Sequence, residues 1–558
     1  MPDKVIISNN GALAAKYGAP GIQAINGAIQ AMIAADAAKG ITTQYVALDD
    51  AGTMIALGGV AVPNSADQRA VKEAIDAIYV GANKPDYLMI LGSVDVVPHQ
   101  DLVNPVFDPA HPKADPDRLV PSDLPYACDV PFSLAADDFI GPSRVVGRLP
   151  DLTGGTNTAD FVRIIQNATD STPIPAGGIG ALGITAQAWQ VSTDQSLQAL
   201  FGPTAAAMPS PVQGPQWPTP LLNSQIHFIN CHGALDHPQF HGEPNNYPVA
   251  HDAVWITNKI SPGTIAAVEC CYGAQLYDPA AADGQMSVGN TYMSGGAAAY
   301  LGSTTIAYGP AASMAYADLI CRFFIEGLLA GKSSGDALLN ARLRYVQASL
   351  PTDPVDLKTL AQFLLLGDPS LHPVLPAQPQ PGAAIPHAMP AAAATATATA
   401  TAVDQSGDAR KARRQASKRE ATEIETSHPV SDTAIAVSAD VQPKMQEYID
   451  RAGLKSFSMT SFATTLGRGG LARAKGVGAQ PQNPQRVHLV LGERTDVNHD
   501  QRINYPVAIV AREDGGTILQ VETVYGKARR TRTEWHGGDA SGRRRVEERA
   551  PGGNAGER

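Results

Sequence analysis

Two apolar runs in the 558-residue chain end in side chains that can do covalent chemistry. IHFINCHGA, residues 226–234, ends on His232 with Gly233 directly after it. TIAAVECCYGA, residues 264–274, ends on Cys270 and Cys271, followed by Tyr272 and Gly273. In an open parallel sheet, ligands bind in the crevice outside the carboxyl ends of the strands. Two neighbouring strands with these ends set a base beside a thiol. The imidazole favours the thiolate and later protonates a leaving amine. A glycine after each lets backbone N–H groups approach a carbonyl oxygen and form an oxyanion hole. Each run alone is an ordinary buried strand end; the pair points to a Cys–His hydrolase. Neighbouring residues at a strand end point to opposite faces, so only one of Cys270 and Cys271 can face the crevice.

Two other groupings have metal-like spacing. His232, His237 and His241 with Glu243 form H-x4-H-x3-H-x-E, three imidazoles and a carboxylate of the kind that holds zinc. Pro238 and Gly242 make that stretch a loop, and His232 already has a role. DVNHDQRIN, residues 496–504, begins like a calcium loop but lacks the glycine at its sixth position and the acid at its twelfth. It reads as a polar turn. No metal and no cofactor is expected.

The elements that must position these residues alternate. KVIIS (4–8) is a short apolar run followed by a Gly-rich turn, and residues 20–39 are Ala-rich with helical spacing. TTQYVALDD follows, then a helix over 66–80 started by Ser65, then the buried strand of DYLMILGSVDVVP (86–98). Strand and helix in turn, at these lengths, predict a parallel sheet covered by helices on both faces. The pattern recurs at 180–201, 225–233, 264–275, 297–303 and 314–330, as two consecutive sheets or one long one. Beyond residue 376 the composition breaks into an Ala/Thr/Pro-rich stretch and the basic ARKARRQASKRE (409–420). Apolar patterning returns with HLVLGE (488–493) and YPVAIVAR (505–512). The expected organisation is an N-terminal α/β subdomain (1–170), a catalytic subdomain (171–376), a disordered linker (377–435), a small α+β domain (436–526) and a disordered basic tail (527–558).

Composition narrows the class. Hydrophobic residues are 44% and charged residues 17%, enough for a large core and too apolar for a wholly disordered chain. The net charge of −11 argues against a nucleic-acid binder. Five cysteines are a sparse, odd set, which fits free thiols in a reducing compartment better than a disulfide framework. MPDKVIISNN cannot build a signal peptide. The most apolar region, 295–330, carries Asp318, Arg322 and Glu326, so no membrane span is expected. The expectation is a cytoplasmic, bacterial-type protein.

Over residues 3–376 the sequence resembles the gingipain family of cysteine peptidases, which shares the caspase-type fold with caspases, legumain and separase. DYLMILGSVDVVP resembles that family's strand and Gly-Asp-x-x-x-Ile-Pro turn, with Ser93 in place of the usual acid. SDLPYACD (122–129) and IGPSRVVGRLP (140–150) resemble its Ser-Asp-x-x-Tyr segment and Val-Gly-Arg strand. The His-Gly and Cys stretches follow in the family's order, and FLLLGDPSLHP (363–373) resembles its Leu-x-Gly-Asp-Pro-Ser-Leu ending. The resemblance implies a caspase-like three-layer α/β fold and a cysteine endopeptidase acting on protein or peptide substrates. It implies His232 as the catalytic imidazole and Gly233 as an oxyanion donor. The family's Glu/Gln-Ala-Cys-x-Gly pattern laid on Glu269–Gly273 selects Cys271; the Ala-Cys-x-x-Gly pattern of other caspase-fold enzymes selects Cys270. It also implies an acid in the specificity pocket of members that cleave after Arg or Lys. Asp194 is the candidate here, with Asn230, Ser303, Thr304 and Tyr308 as further substrate-binding residues. The alternatives are a catalytically silent caspase-like scaffold that binds a partner through its C-terminal region, and a zinc hydrolase.

Overall fold

The strands Tyr87–Leu91 (YLMIL) and Ile226–Asn230 (IHFIN) are buried at every residue, as strands covered on both faces must be. They belong to a single sheet of ten strands. Its order is Thr43–Ala47, Lys4–Ser8, Tyr87–Leu91, Val146–Leu149, Phe363–Leu366, Ala299–Ser303, Ile265–Val268, Ile226–Asn230, Ala181–Ala186 and Met208–Ser210. The computed structural model describes residues 2–107, 115–175, 179–210, 214–243, 247–311, 313–349, 353–375, 441–452, 454, 456–464, 485–498, 501–514 and 517–526. The expected linker and tail lie outside the described residues.

The three-layer α/β architecture is present, as one long sheet rather than two. It departs from the expected parallel pattern at one place: Ala299–Ser303 and Phe363–Leu366 run antiparallel. A strand buried on both faces reads the same in either direction, so the sequence does not mark the reversal. One core face gathers Phe228, Ala267, Cys271 and Leu301 with residues of helices Ala317–Leu329, Ser334–Ala348 and Pro354–Gln362. The opposite face gathers Ile229, Val268, Cys270 and Tyr300 with helices Asn10–Ala38, Gln68–Gly81 and Thr158–Asp170. Two helix starts differ from expectation. The first helix begins at Asn10, capped by Asn9, and bends at Gly18; helix Gln68–Gly81 is capped by Asp67, not Ser65. Each cap side chain accepts a backbone N–H of the first turn, which is what fixes the start.

The motifs at 122–150 and 363–373 are joints of the fold. Arg148 donates to both carboxylate oxygens of Asp123, at 2.9 and 2.6 Å, and His99 Nδ1 lies 2.8 Å from the same group. Lys4, on the second strand of the sheet, reaches Asp36 at 3.0 Å and Asp368 of the Gly-Asp-Pro-Ser turn at 2.5 Å. Near the end of the chain, helix Gln442–Ala452 precedes strands Ser456–Thr464, Gln485–Asn498, Gln501–Asp514 and Thr517–Gly526. The last of these pairs antiparallel with Tyr308–Pro310, so this five-stranded sheet takes one strand from the body of the molecule. In the calcium-like stretch Asn498 pairs with Gln501, and residues 499–500 lie outside the described residues.

Candidate active site

Register brings together the strand ends that carry His232 and Cys271. Strand Ile226–Asn230 pairs Ile226 with Ile265 and Ile229 with Val268, and the Glu269 amide extends the ladder to the Ile229 carbonyl at 2.8 Å. Beyond that rung each strand end takes a new partner, His232 bonding His241 and Tyr272 bonding Thr305. Period-2 alternation puts Ile226 and Phe228 on the core face shared with Ile265, Ala267 and Cys271, while Cys270 falls on the other face. Where the strand ends meet, a Cβ built on Gly233 would overlap the Cys271 carbonyl oxygen. Only glycine lets the two backbones approach this closely.

His232 is held from several sides. Its backbone exchanges hydrogen bonds with His241, at 2.9 and 2.8 Å. Its Nε2 lies 2.9 Å from Glu243 Oε1, and Glu243 Oε2 accepts from the Ala188 amide at 2.8 Å. The Trp189 ring packs on the imidazole at 4.6 Å between centroids and Tyr247 meets it edge-on at 5.0 Å. Nδ1 is buried and has no hydrogen-bond partner among the described residues. A fixed imidazole with one nitrogen on a carboxylate and the other unengaged is the form a general base takes.

Cys271 is wholly buried and His232 is 3% exposed, so the pair lies beneath a cover. That cover includes the segment before strand Tyr308–Pro310. The Ala307 amide donates to Cys271 Sγ at 3.2 Å, and the thiol lies 3.5 Å from the Ala307 carbonyl. Trp189 Nε1 donates to the Gly309 carbonyl at 3.1 Å, which ties the same segment to the residue packed on His232. Cys270 Sγ instead accepts from the Cys231 amide at 3.3 Å on the opposite face.

The other expected site residues are placed differently. Asn230 is fully buried, and its amide nitrogen donates to Thr193 at 3.0 Å and Asp318 at 3.4 Å. Ser303 is also fully buried and donates to the Cys270 and Thr305 carbonyls. Thr304 donates to the Pro121 carbonyl and Tyr308 to Asp115. Asp194 lies in helix Gln190–Phe201 and accepts the Ala207 amide at 2.7 Å. The zinc-like set is not assembled. His232 takes Glu243, while His237 and His241 pack against each other, tilted, at 5.5 Å between centroids. Among the described residues no group of three or more His, Cys, Asp or Glu is arranged to hold a metal.

Glu243 is the residue whose place the sequence reading missed. The signal was present as its position two residues beyond His241, on the arm that folds back along His232; the metal-like spacing had claimed it for another role.

Residues 232–374, from the imidazole through the Gly-Asp-Pro-Ser turn, match the sequence model of Peptidase family C25. No curated protein matches the chain. Among solved structures, the chain is similar to the complex of Porphyromonas gingivalis RgpB pro- and mature domains. There the identity is 14% and the TM-score 0.44, over 66% of this chain and 79% of that one. The Arg-specific cysteine proteinase gingipain R (RgpB) gives 13% and 0.43, over 66% and 77%. The Saccharomyces cerevisiae separase–securin complex gives 13% and 0.27, over 42% of this chain and 14% of that one.

Proposed function

We propose that the chain is a cysteine peptidase with Cys271 as nucleophile, His232 as acid–base and Glu243 as the group that orients His232. The observation that carries this reading is the meeting of two strand ends, with Gly233, the residue after His232, against the Cys271 carbonyl. The match of residues 232–374 to Peptidase family C25 supports it independently. His232 Nδ1 accepts the thiol proton, and the thiolate adds to the scissile carbonyl carbon. The developing oxyanion lies at the Gly233 backbone N–H. The imidazolium then returns its proton to the leaving amine as the C–N bond breaks, leaving a thioester. Water, deprotonated by His232, hydrolyses the thioester and restores the thiol. Glu243 keeps the ring in one orientation and stabilises its cationic form. The location of the Cys270 thiol on the opposite core face supports Cys271 over Cys270.

Cleavage after Arg or Lys is the finer reading. It rests on Asp194, whose carboxylate already accepts one amide. A positional-scanning peptide library run with the wild type, Cys271→Ala and Cys270→Ala tests both levels. Cys271→Ala should lose about three orders of magnitude or more in kcat, while Cys270→Ala should stay within about threefold. The reverse order would move the nucleophile to Cys270. Hydrolysis confined to apolar or acidic P1 residues would remove the basic specificity and leave the peptidase.

A further inference from the structure

The segment 304–308 alternates between two neighbours. Thr304, Ile306 and Tyr308 meet the stretch 115–121 of the N-terminal half: Thr304 at the Pro121 carbonyl, Ile306 at Asp117 and Tyr308 at Asp115. Thr305 and Ala307 face the other way. The Thr305 carbonyl accepts the Tyr272 amide at 3.0 Å, and the Ala307 amide donates to Cys271 Sγ at 3.2 Å. Asp117 touches both sides. Its Oδ1 accepts from the Tyr272 hydroxyl at 2.7 Å and its Oδ2 from the Ile306 amide at 2.9 Å.

Tyr272, directly after the thiol, has φ of +54°. A bulky residue adopts that left-handed conformation only when its surroundings hold it there. Here the holding contacts are the Asp117 carboxylate and the Thr305 carbonyl. We propose that Asp117 is a positioning residue for Cys271: it fixes Tyr272 and Ile306 at once, and so keeps the Ala307 amide pointed at the sulfur. An N–H aimed at sulfur favours the thiolate. The inference rests on the reading of Cys271 as nucleophile.

The charges around this clamp are Lys358, 2.6 Å from Asp115 and 3.4 Å from Asp117, with Asp115 itself wholly buried. Tyr272 and Tyr308 also face it, and His232 belongs to the same site. Burial, then the neighbouring carboxylates, hold both tyrosine hydroxyls well above their ordinary pKa, so they stay donors. Lys358 offsets the carboxylates, which would otherwise oppose a thiolate nearby.

The test uses the full chain. Alkylation of Cys271 by iodoacetamide is followed against pH, with the modified cysteine located by peptide mapping, beside kcat and KM on a library substrate. Asp117→Ala should raise the pH midpoint of Cys271 alkylation by about one unit and lower kcat about tenfold, with KM within about threefold. Asp117→Asn keeps one acceptor oxygen and should recover part of both. Tyr272→Phe removes only the hydroxyl, so it carries the test if Asp117→Ala does not fold, and it should add little in the Asp117→Ala background. Loss of the Asp117 charge by itself would lower the midpoint, so a midpoint lowered or unmoved in folded Asp117→Ala, or unmoved in Tyr272→Phe if that is the folded variant, overturns the inference whatever happens to kcat. If Cys271 alkylates normally in a wild type that cleaves no peptide, the peptidase reading has failed, and the midpoint shift still decides the role of Asp117.

Discussion

Glu243 holds the far nitrogen of His232, and its charge stabilises most when the ring becomes an imidazolium. Glu243→Gln keeps a hydrogen-bonding group of the same shape and removes that charge. It should lower kcat by about tenfold to a hundredfold with little change in KM. Steady-state kinetics on one peptide substrate decide it, and an unchanged kcat would remove Glu243 from the machinery. At this scale the sequence was informative wherever chemistry and strand period coincide. His232 and Cys271 each close an apolar run, and alternation allows only one of Cys270 and Cys271 to face the crevice without saying which. It was uninformative where a side chain's task depends on what folds over it. Asn230, Ser303 and Thr304 have polar groups suited to a substrate, yet each donates to a partner inside the protein. Nothing in their local sequence states that.

Between elements, the sheet is tied by buried ion pairs. Lys4 is enclosed in its strand and is the cation for both Asp36 and Asp368. Burial works against both carboxylates; the charge of Lys4 nonetheless keeps Asp368 below the ordinary range. Lys4→Met fills the same space and leaves two carboxylates without a cation. Removing one partner of a buried pair costs about 3–5 kcal/mol, so chemical denaturation should show a loss of that size. A loss under about 1 kcal/mol would mean the joint is replaceable. Strand and helix order was legible from the runs at 86–98, 225–233 and 264–275, because fully buried strands and amphipathic helices have different periods. The antiparallel turn of Phe363–Leu366 and the pairing of Tyr308–Pro310 with a distant strand were not legible. Both depend on contacts between segments far apart in the chain, which no local period encodes.

Taken whole, the molecule should be sensitive to mild acid. His227 and His251 are fully buried and flank the Tyr292 hydroxyl at 2.7 and 3.0 Å. Burial pushes His227 down to about 4 and His251 down to about 3. A histidine whose pKa is lower folded than unfolded binds fewer protons in the native state. Stability from it is therefore complete above about pH 6.5 and drains as pH falls towards 4. For His227 alone the loss over that window is roughly 3 kcal/mol. Thermal melts at pH 7, 6, 5 and 4.5 should fall steeply in the wild type and less so in His227→Gln; equal slopes would assign the acid sensitivity elsewhere. The α/β form expected of the body is present. The five-stranded sheet has a consequence for how the protein is made. Its first strand, Tyr308–Pro310, adjoins the thiol, and its partner Thr517–Gly526 emerges from the ribosome on the order of two hundred residues later. At 5–20 residues per second, roughly ten to forty seconds of translation separate the two. Through that interval the edge beside Cys271 stands unpaired in the nascent chain, open to chaperones and to neighbouring polypeptides.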